Sequence, residues 1–247
     1  MDLAHPLRAT GKRLLETLLP LRCLGCGVVV ETGALYTACW SGLDHIAAPA
    51  CARCGLPFGH DEGPDALCGG CLAEPPAFDR ARAALRYNDL SARLIIGFKH
   101  SDKLHHLDAF VRWLERAAGA DLAGADLVCC VPLHRRRLWH RRFNQSVLLA
   151  NALARRAGKV SAPDLLVRRR ATSSQAGLNR RQRIDNLRGA MIVRSGMETR
   201  VSGRRILLVD DVYTTGATVD ACAKALRRAG ADHIGVVTLA RVVRETT

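Results

Sequence analysis

The sequence has few aromatic residues and no long apolar segment. Phe, Trp and Tyr make up 4% of its 247 residues, which is too few for an extended platform on which single-stranded nucleic acid stacks. Every apolar run is shorter than the ~18 residues that cross a membrane, and Glu16 and Pro20 interrupt the N-terminal run from Leu14 to Leu21. No small-residue cleavage site follows that run, so we expect a cytoplasmic protein without membrane insertion.

Positive charge is abundant, and it is confined to the second part of the chain. Residues 1–75 carry 5 basic and 8 acidic side chains, whereas residues 76–247 carry 32 and 15, and the whole chain has a net charge of +14. This charge favours a strongly anionic partner such as a phosphate ester, pyrophosphate or nucleic acid. The shift in composition coincides with the Pro75–Pro76 pair, which interrupts regular structure, and predicts a linker there.

Cysteine is concentrated in the acidic first part. Seven of the ten cysteines precede residue 75, and six of these form C-x-x-C pairs, which in a reduced compartment indicate metal ligands rather than disulfides. Two pairs supply the four thiolates that a tetrahedral structural Zn²⁺ requires: Cys51, Cys54, Cys68 and Cys71. We call these four the second cysteine cluster. The first cysteine cluster begins in the same way but has three members: Cys23, Cys26 and Cys39.

The sequence allows several alternatives for the fourth ligand of the first cysteine cluster. Tyr36 stands three residues before Cys39, where a second C-x-x-C pair would begin, and Tyr is a poor zinc ligand. His45 is the nearest substitute, and the alternatives are a three-thiolate site or a site that has lost its metal. We therefore expect a zinc content between one and two ions per chain. The other thiols occur in apolar runs and are expected to be small buried side chains: Cys129, Cys130 and Cys222.

Strand-like and helical patterns alternate after the linker. Strands are predicted over residues 81–87, 127–131, 203–209 and 233–239. Helices are predicted over residues 90–100, 103–119, 144–157 and 217–229. This order indicates parallel pairing, and hence an α/β fold whose parallel sheet is flanked by helices and binds ligands at the carboxyl ends of its strands. A short amphipathic helix is predicted over residues 1–19.

The strongest functional signal is I-L-L-V-D-D-V-Y-T-T-G-A-T at residues 206–218. A buried strand there ends in two carboxylates and passes through a turn into a helix, whose N-terminus suits a phosphate monoester. The expected phosphate-binding residues are Thr214, Thr215, Gly216, Ala217 and Thr218. Asp210 and Asp211 can accept hydrogen bonds from the vicinal hydroxyls of a ribose whose 5′-phosphate occupies the turn. An ordinary strand-to-helix turn with capping threonines is the alternative.

This segment resembles the phosphoribosyl-pyrophosphate motif of type I phosphoribosyltransferases. The resemblance implies a central parallel sheet, binding of phosphoribosyl pyrophosphate with Mg²⁺, and displacement of pyrophosphate from the anomeric carbon by a nitrogen nucleophile. Some purine-salvage members carry an aspartate, assigned as a base, where Thr214 stands in this chain. A purine ring activated in that manner is therefore not the expected nucleophile.

A basic segment is expected to complete this site. Residues 132–188 contain 15 Lys or Arg and only two acids. The turn after the predicted strand 127–131 lies at a carboxyl end, where arginine forks suit pyrophosphate, and its candidate ligands are Leu133, His134 and Arg135. Residues 171–188 are interpreted as a loop that closes over the substrate and excludes water, with a basic surface loop as the alternative.

Several segments together resemble the competence-protein ComF family: P-L-H-R-R-R, R-R-F-N-Q, Q-A-G-L-N-R, N-L-R-G-A and residues 206–218. The resemblance extends from about residue 20 to residue 241. It implies a double zinc-ribbon domain over residues 20–75, a phosphoribosyltransferase-like domain over residues 80–243, and a link to DNA uptake. Lys99 in G-F-K-H resembles part of the family's F-K-Y segment and is a further pyrophosphate candidate, unless it only extends along the helix surface.

Two functions of different classes follow from these observations. The first is a Mg²⁺-dependent phosphoribosyltransferase that acts on an unidentified nitrogen nucleophile. The second is a non-catalytic accessory of DNA uptake that binds single-stranded DNA or a helicase partner and retains a ribose-phosphate pocket. Paired carboxylates repel a polyanion, so residues 206–218 favour a small-molecule ligand, whereas the diffuse basic charge favours DNA.

Overall fold

The computed structural model describes residues 22–30, 35–100, 106–133, 144–170, 182, 186–187 and 189–243, apart from the side chains of residues 99 and 100. Its helices are α1 Thr37–Ser41, α2 Gly69–Ala73, α3 Asp89–His100, α4 His106–Ala123, α5 Gln145–Arg156 and α6 Ala217–Arg228. Its strands are β1 Arg80–Arg86, β2 Leu127–Cys130, β3 Val160–Ser161, β4 Leu166–Arg168, β5 Met191–Val193, β6 Arg205–Tyr213 and β7 His233–Arg241. No helix in this part of the chain is both long and apolar enough to cross a membrane. The predicted helix over residues 1–19 lies outside the described residues.

Five parallel strands form the central sheet in the order β1-β7-β6-β2-β3. The central strands β6 and β7 are apolar on both faces, as is typical of a parallel sheet covered by helices on both sides. Helices α3, α4 and α5 cover one face, where Phe98, Phe110 and Trp113 join the core. Helix α6 and the antiparallel pair β4–β5 cover the other face. This arrangement confirms the predicted α/β fold class.

Strands β6 and β7 are longer than their sequence patterns predicted. β6 continues through Asp210 and Asp211 to Tyr213, and β7 continues to Arg241. The two strands stay paired up to the register position Tyr213↔Arg241. Because backbone hydrogen bonding does not depend on side-chain polarity, charged residues after the apolar runs do not end the strands. Both carboxylates therefore lie on the strand itself rather than in the turn that follows it.

The N-terminal part of the chain covers the outer edge of strand β1. The Ala81 amide donates to the Arg53 carbonyl at 2.7 Å, and the Ile46 amide donates to the Ala84 carbonyl at 3.0 Å. The two backbones approach so closely at Gly55 that an added Cβ would lie 2.5 Å from the Ala81 carbonyl oxygen. An uncovered edge strand is a template for aggregation, so these contacts protect the sheet.

The segment between residues 74 and 79 is irregular but well packed. Phe78 is 1% exposed, and its ring meets the Tyr213 ring edge-on with centroids 6.4 Å apart. Asp220 of helix α6 accepts a hydrogen bond from the Ala77 amide at 2.7 Å. The segment predicted as a linker is thus fixed to the sheet and to α6, directly beside the loop that begins α6.

Candidate functional site

The loop between β6 and α6 leads directly into the N-terminus of a helix. The chain leaves β6 at Tyr213 and enters α6 at Ala217, with Gly216 as the N-cap residue. Gly216 has φ +80°, a left-handed conformation that favours glycine. The first amide groups of a helix have no acceptor within the helix, and Thr218 adds a hydroxyl in the first turn. This strand, loop and helix follow one another as residues 206–218 predicted.

Asp210 and Asp211 are both half-buried at the end of β6. The Ser146 hydroxyl donates to Asp210 Oδ1 at 3.1 Å. Asn144 caps α5 by accepting the Ser146 amide at 3.0 Å, and its side-chain amide lies 3.4 Å from the Val131 carbonyl oxygen. The end of β6, the start of α5 and the residue after β2 therefore meet at Asp210. Sequence reasoning missed Ser146, although a hydroxyl in the first turn of the helix after β2 was a usable signal.

The predicted pyrophosphate ligands fall only partly within the described residues. Leu133 is half-buried and follows β2, which pairs with β6 and ends beside the carboxylates. Lys99 belongs to helix α3. Its side chain lies outside the described residues, as do His134, Arg135 and most of residues 171–188. The structure thus places the start of the predicted turn next to β6, and the roles of these ligands stay predictions.

Tyr213 packs directly against the loop between β6 and α6. A Cβ added to Gly216 would collide with the Tyr213 hydroxyl oxygen and lie 2.7 Å from Cζ. Burial raises the pKa of Tyr213 above its ordinary value, and the positive charge of Arg241 opposes that rise as a smaller effect. The Arg241 guanidinium carbon lies 4.5 Å from the centroid of the Tyr213 ring. The loop therefore rests on an aromatic ring that is itself covered by an arginine.

We expect Gly216→Ala to destabilise the protein more than Gly203→Ala. Both glycines have a positive φ, +80° and +68°, so alanine at either position is strained by about 1 kcal/mol. A Cβ at Gly203 meets no atom within 4 Å, whereas at Gly216 it collides with Tyr213, and such overpacking adds ~1–3 kcal/mol. Urea unfolding of both variants measures the difference, and equal losses would contradict the close packing of Tyr213.

The second cysteine cluster fits one zinc ion. The Sγ atoms of its four members lie within 4.8 Å of one another, as a tetrahedral four-thiolate site requires. Burial alone would raise the pKa of Cys51, but amide donors including those of Cys68 and Cys54 lower that pKa to about 7. Burial and the neighbouring sulfurs raise the pKa of Cys71. Four crowded, half-desolvated thiols favour a bound dication, because the charge of a metal ion offsets the repulsion among their thiolates.

The first cysteine cluster brings three Sγ atoms within 4.8 Å of one another. Tyr36 contributes its backbone amide, which donates to Cys23 Sγ at 3.1 Å. The suggestion that His45 supplies the fourth ligand is wrong. Its ring packs against Trp40 and Trp113, with centroids 5.2 and 6.1 Å away. Among the described residues, no His, Cys, Asp or Glu joins the three thiols as a fourth ligand.

Two arginines of the sheet bind the backbone of the second cysteine cluster. Arg82 of β1 donates to the carbonyls of Cys51 and Ala52 at 3.4 and 3.2 Å. Arg241 of β7, which is 7% exposed, donates to the Cys54 carbonyl, and its Nη2 lies 3.6 Å from Cys54 Sγ. A cavity of about 430 Å³ lies between this cluster and the loop at residues 214–217. No local sequence pattern indicated either arginine, because their partners are distant in the chain.

The three cysteines outside the clusters are fully buried, as predicted. Cys129, Cys130 and Cys222 are each 0% exposed. Burial raises the pKa of all three thiols, that of Cys130 to about 12. They are neutral packing groups of the core rather than reactive or metal-binding thiols.

Both parts of the chain match the profile of a known protein family. The family profile of the double zinc ribbon domain matches residues 14–72, and that of the phosphoribosyl transferase domain matches residues 144–246. The DNA utilization protein YhgH of Salmonella typhi is 36% identical over 200 residues, which are 78% of this chain and 84% of that protein. Competence protein F of Haemophilus influenzae is 29% identical over 227 residues, 89% of this chain and 96% of that protein.

Among solved structures, orotate phosphoribosyltransferase from Aeropyrum pernix aligns with 64% of this chain and 68% of its own, at 19% identity and a TM-score of 0.37. The two profiles coincide with the cysteine clusters and with the strand, loop and helix at residues 206–218. The chain belongs to the competence protein ComF family, with a double zinc ribbon followed by a phosphoribosyltransferase-type domain.

Proposed function

We propose that this protein binds phosphoribosyl pyrophosphate with Mg²⁺ at residues 210–218, where β6 ends and the following loop leads into α6. The observation that carries the proposal is the position of Asp210, which is half-buried near the end of β6, accepts the Ser146 hydroxyl at 3.1 Å, and precedes the loop that leads into the N-terminus of α6. The loop amides and the hydroxyls of Thr214, Thr215 and Thr218 bind the 5′-phosphate. Asp210 and Asp211 accept hydrogen bonds from the ribose hydroxyls.

We further propose that the bound donor reacts by pentosyl transfer. The lone pair of a nitrogen nucleophile forms a bond to the anomeric carbon, the bond from that carbon to the pyrophosphate oxygen breaks, and pyrophosphate leaves with the electron pair. The proton released by the nitrogen passes to solvent or to the leaving group. Leu133, His134, Arg135 and Lys99 are proposed to hold pyrophosphate, whose charge Mg²⁺ partly neutralises as part of the substrate.

We keep the domain limits of residues 20–75 and 80–243 as part of this proposal. The first domain then has a structural role, because its zinc clusters hold the backbone that pairs with the edge of β1. The second carries the donor site at the carboxyl end of β6. The proposed division agrees with the change in charge between the two parts of the chain.

A second candidate function is binding of single-stranded DNA, alone or with a helicase partner. The specific observation that favours it is a groove of about 1020 Å³ lined by Trp40, His45, Trp113 and the basic residues Arg80 and Arg116, among others. Trp40 is 49% exposed, and an exposed aromatic ring beside arginines suits stacked bases. Two of the three tryptophans of this chain, Trp40 and Trp113, line this groove. Relatives named for DNA utilization and competence support the same candidate.

Titration of the full chain separates the two functions. We expect phosphoribosyl pyrophosphate with Mg²⁺ to bind in isothermal titration calorimetry, with much weaker binding when Mg²⁺ is left out. A fluorescein-labelled single-stranded oligonucleotide is titrated in parallel, and pyrophosphate release is followed with ammonia and free nucleobases as acceptors. Absence of donor binding at millimolar concentration together with tight oligonucleotide binding would replace the first function by the second.

A further inference from the structure

Arg241 contacts both the second cysteine cluster and the residue beneath the phosphate-binding loop. Its guanidinium group donates to the Cys54 carbonyl and lies 3.6 Å from the Cys54 sulfur. The same group stacks over the Tyr213 ring at 4.5 Å. Because Arg241 is 7% exposed, water cannot readily replace these partners.

Tyr213 completes the connection to the loop. Its hydroxyl and Cζ lie against Gly216 so closely that the glycine has no room for a side chain. Phe78 also packs against Tyr213, and the two rings meet edge-on with centroids 6.4 Å apart. A shift of the Tyr213 ring therefore changes the space available to Gly216, the residue that caps α6.

We propose that Arg241 is a positioning residue which couples metal binding at the second cysteine cluster to donor binding at the loop of residues 214–218. This inference rests on the proposed donor site. The contact series runs from Cys54 through Arg241 and Tyr213 to Gly216, and it joins two sites that are distant in the sequence. Zinc fixes Cys54, Cys54 fixes the guanidinium group, and the guanidinium group fixes the ring on which the loop rests.

The physical reason for coupling is the cost of a buried cation without partners. When the cluster loses its metal, the Cys54 carbonyl and sulfur no longer have fixed positions, and Arg241 loses the acceptors that compensate its desolvation. The guanidinium group then moves towards water, which removes the cover of the Tyr213 ring. The loop is left with more conformations, of which only a fraction bind phosphate, so the apparent affinity for the donor falls to that fraction of its original value.

Arg82 provides a matched control for the proposed coupling. It also donates to carbonyls of the second cysteine cluster, at Cys51 and Ala52, but it projects from β1 and is not in the contact series through Tyr213. We expect Arg241→Met to weaken binding of Mg²⁺ and phosphoribosyl pyrophosphate about tenfold, within the usual range of coupling between sites. Arg82→Met is expected to change it less than about twofold, and Arg241→Lys, which keeps the charge, is expected to lie between the two.

A second measurement uses the unaltered protein. Coupling between two binding sites is reciprocal, so the donor must raise the zinc affinity of the second cysteine cluster by the factor by which zinc raises donor affinity. Competition with a chromogenic chelator, with and without phosphoribosyl pyrophosphate and Mg²⁺, measures this factor. The variant Cys26→Ser alters only the first cysteine cluster, and we expect the donor effect on zinc affinity to survive in it.

Equal donor affinities for Arg241→Met and Arg82→Met would overturn the proposed coupling, and so would a zinc affinity that the donor leaves unchanged. If Arg241→Met does not fold, the chelator experiment on the unaltered protein decides alone. Absence of donor binding to the unaltered protein would instead refute the proposed function, and that result is distinct from donor binding without coupling to zinc.

Discussion

Replacing both Asp210 and Asp211 by asparagine is expected to reduce the affinity for phosphoribosyl pyrophosphate by at least about a hundredfold, because each lost charge-assisted hydrogen bond contributes ~1.5–3 kcal/mol. Asparagine keeps the shape of aspartate and an oxygen that accepts the Ser146 hydroxyl. The fold and the zinc content are therefore expected to stay unchanged. Calorimetric titration with Mg²⁺ and the donor measures the loss.

Asp126→Asn is a matched charge control for this double variant. Asp126 accepts a hydrogen bond at 2.9 Å from the backbone amide of Arg205. Arg205 is the first residue of β6, at the opposite end of the strand from Asp210 and Asp211, so the substitution removes a carboxylate without altering the loop. Ser146→Ala tests the support of Asp210 and is expected to weaken donor binding by ~1 kcal/mol, the value of one ordinary hydrogen bond. Donor affinities that do not differ between Asp126→Asn and the double variant would contradict the proposed role of Asp210 and Asp211.

Cys51→Ser is expected to remove one zinc ion and to uncover the edge of strand β1. Structural zinc contributes about 10 kcal/mol or more in zinc-finger peptides, so the second cysteine cluster is not expected to stay folded without it. Arg53 lies between Cys51 and Cys54, and its carbonyl accepts the Ala81 amide of β1 at 2.7 Å. Zinc analysis and size-exclusion chromatography are expected to show less bound metal and more aggregated protein.

Cys222→Ala is the corresponding control, because it also removes a thiol that is 0% exposed. It lies in helix α6 away from both clusters and is expected to keep the full zinc content, at a cost of ~1 kcal/mol in unfolding free energy. The unaltered protein is expected to contain between one and two zinc ions, since the first cluster has three described thiol ligands. A Cys51→Ser protein that keeps this zinc content and stays monomeric would refute the structural role of the second cluster.

The parts of the fold that depend on local sequence were predictable. The alternation of apolar runs and helical periods predicted four of the five strands of the parallel sheet and helices α3 to α6 to within a few residues, and helix α5 begins after Asn144 as expected. The two-residue strand β3 was not predicted. The C-x-x-C spacing predicted both cysteine clusters. Within each cluster, the structure places the Sγ atoms within 4.8 Å of one another. The sequence order at residues 206–218 predicted the strand, loop and helix that the structure contains.

The contacts that join distant segments were not predictable. Ser146 meets Asp210 across 64 positions, and Arg241 meets Cys54 across 187, so no local pattern records either pair. His45 was proposed as a ligand on proximity in sequence, but its ring is held between two tryptophans instead. Proximity along the chain is a weak guide wherever the tertiary fold decides which side chains meet.

A crystal structure of the full chain with phosphoribosyl pyrophosphate and Mg²⁺ tests the central claim most directly. We expect the 5′-phosphate to lie within hydrogen-bonding distance of the amides of residues 215–218, and the ribose hydroxyls to donate to the carboxylates of Asp210 and Asp211. Density for the donor at another place on the protein, with this loop unchanged from the arrangement described above, would contradict the claim.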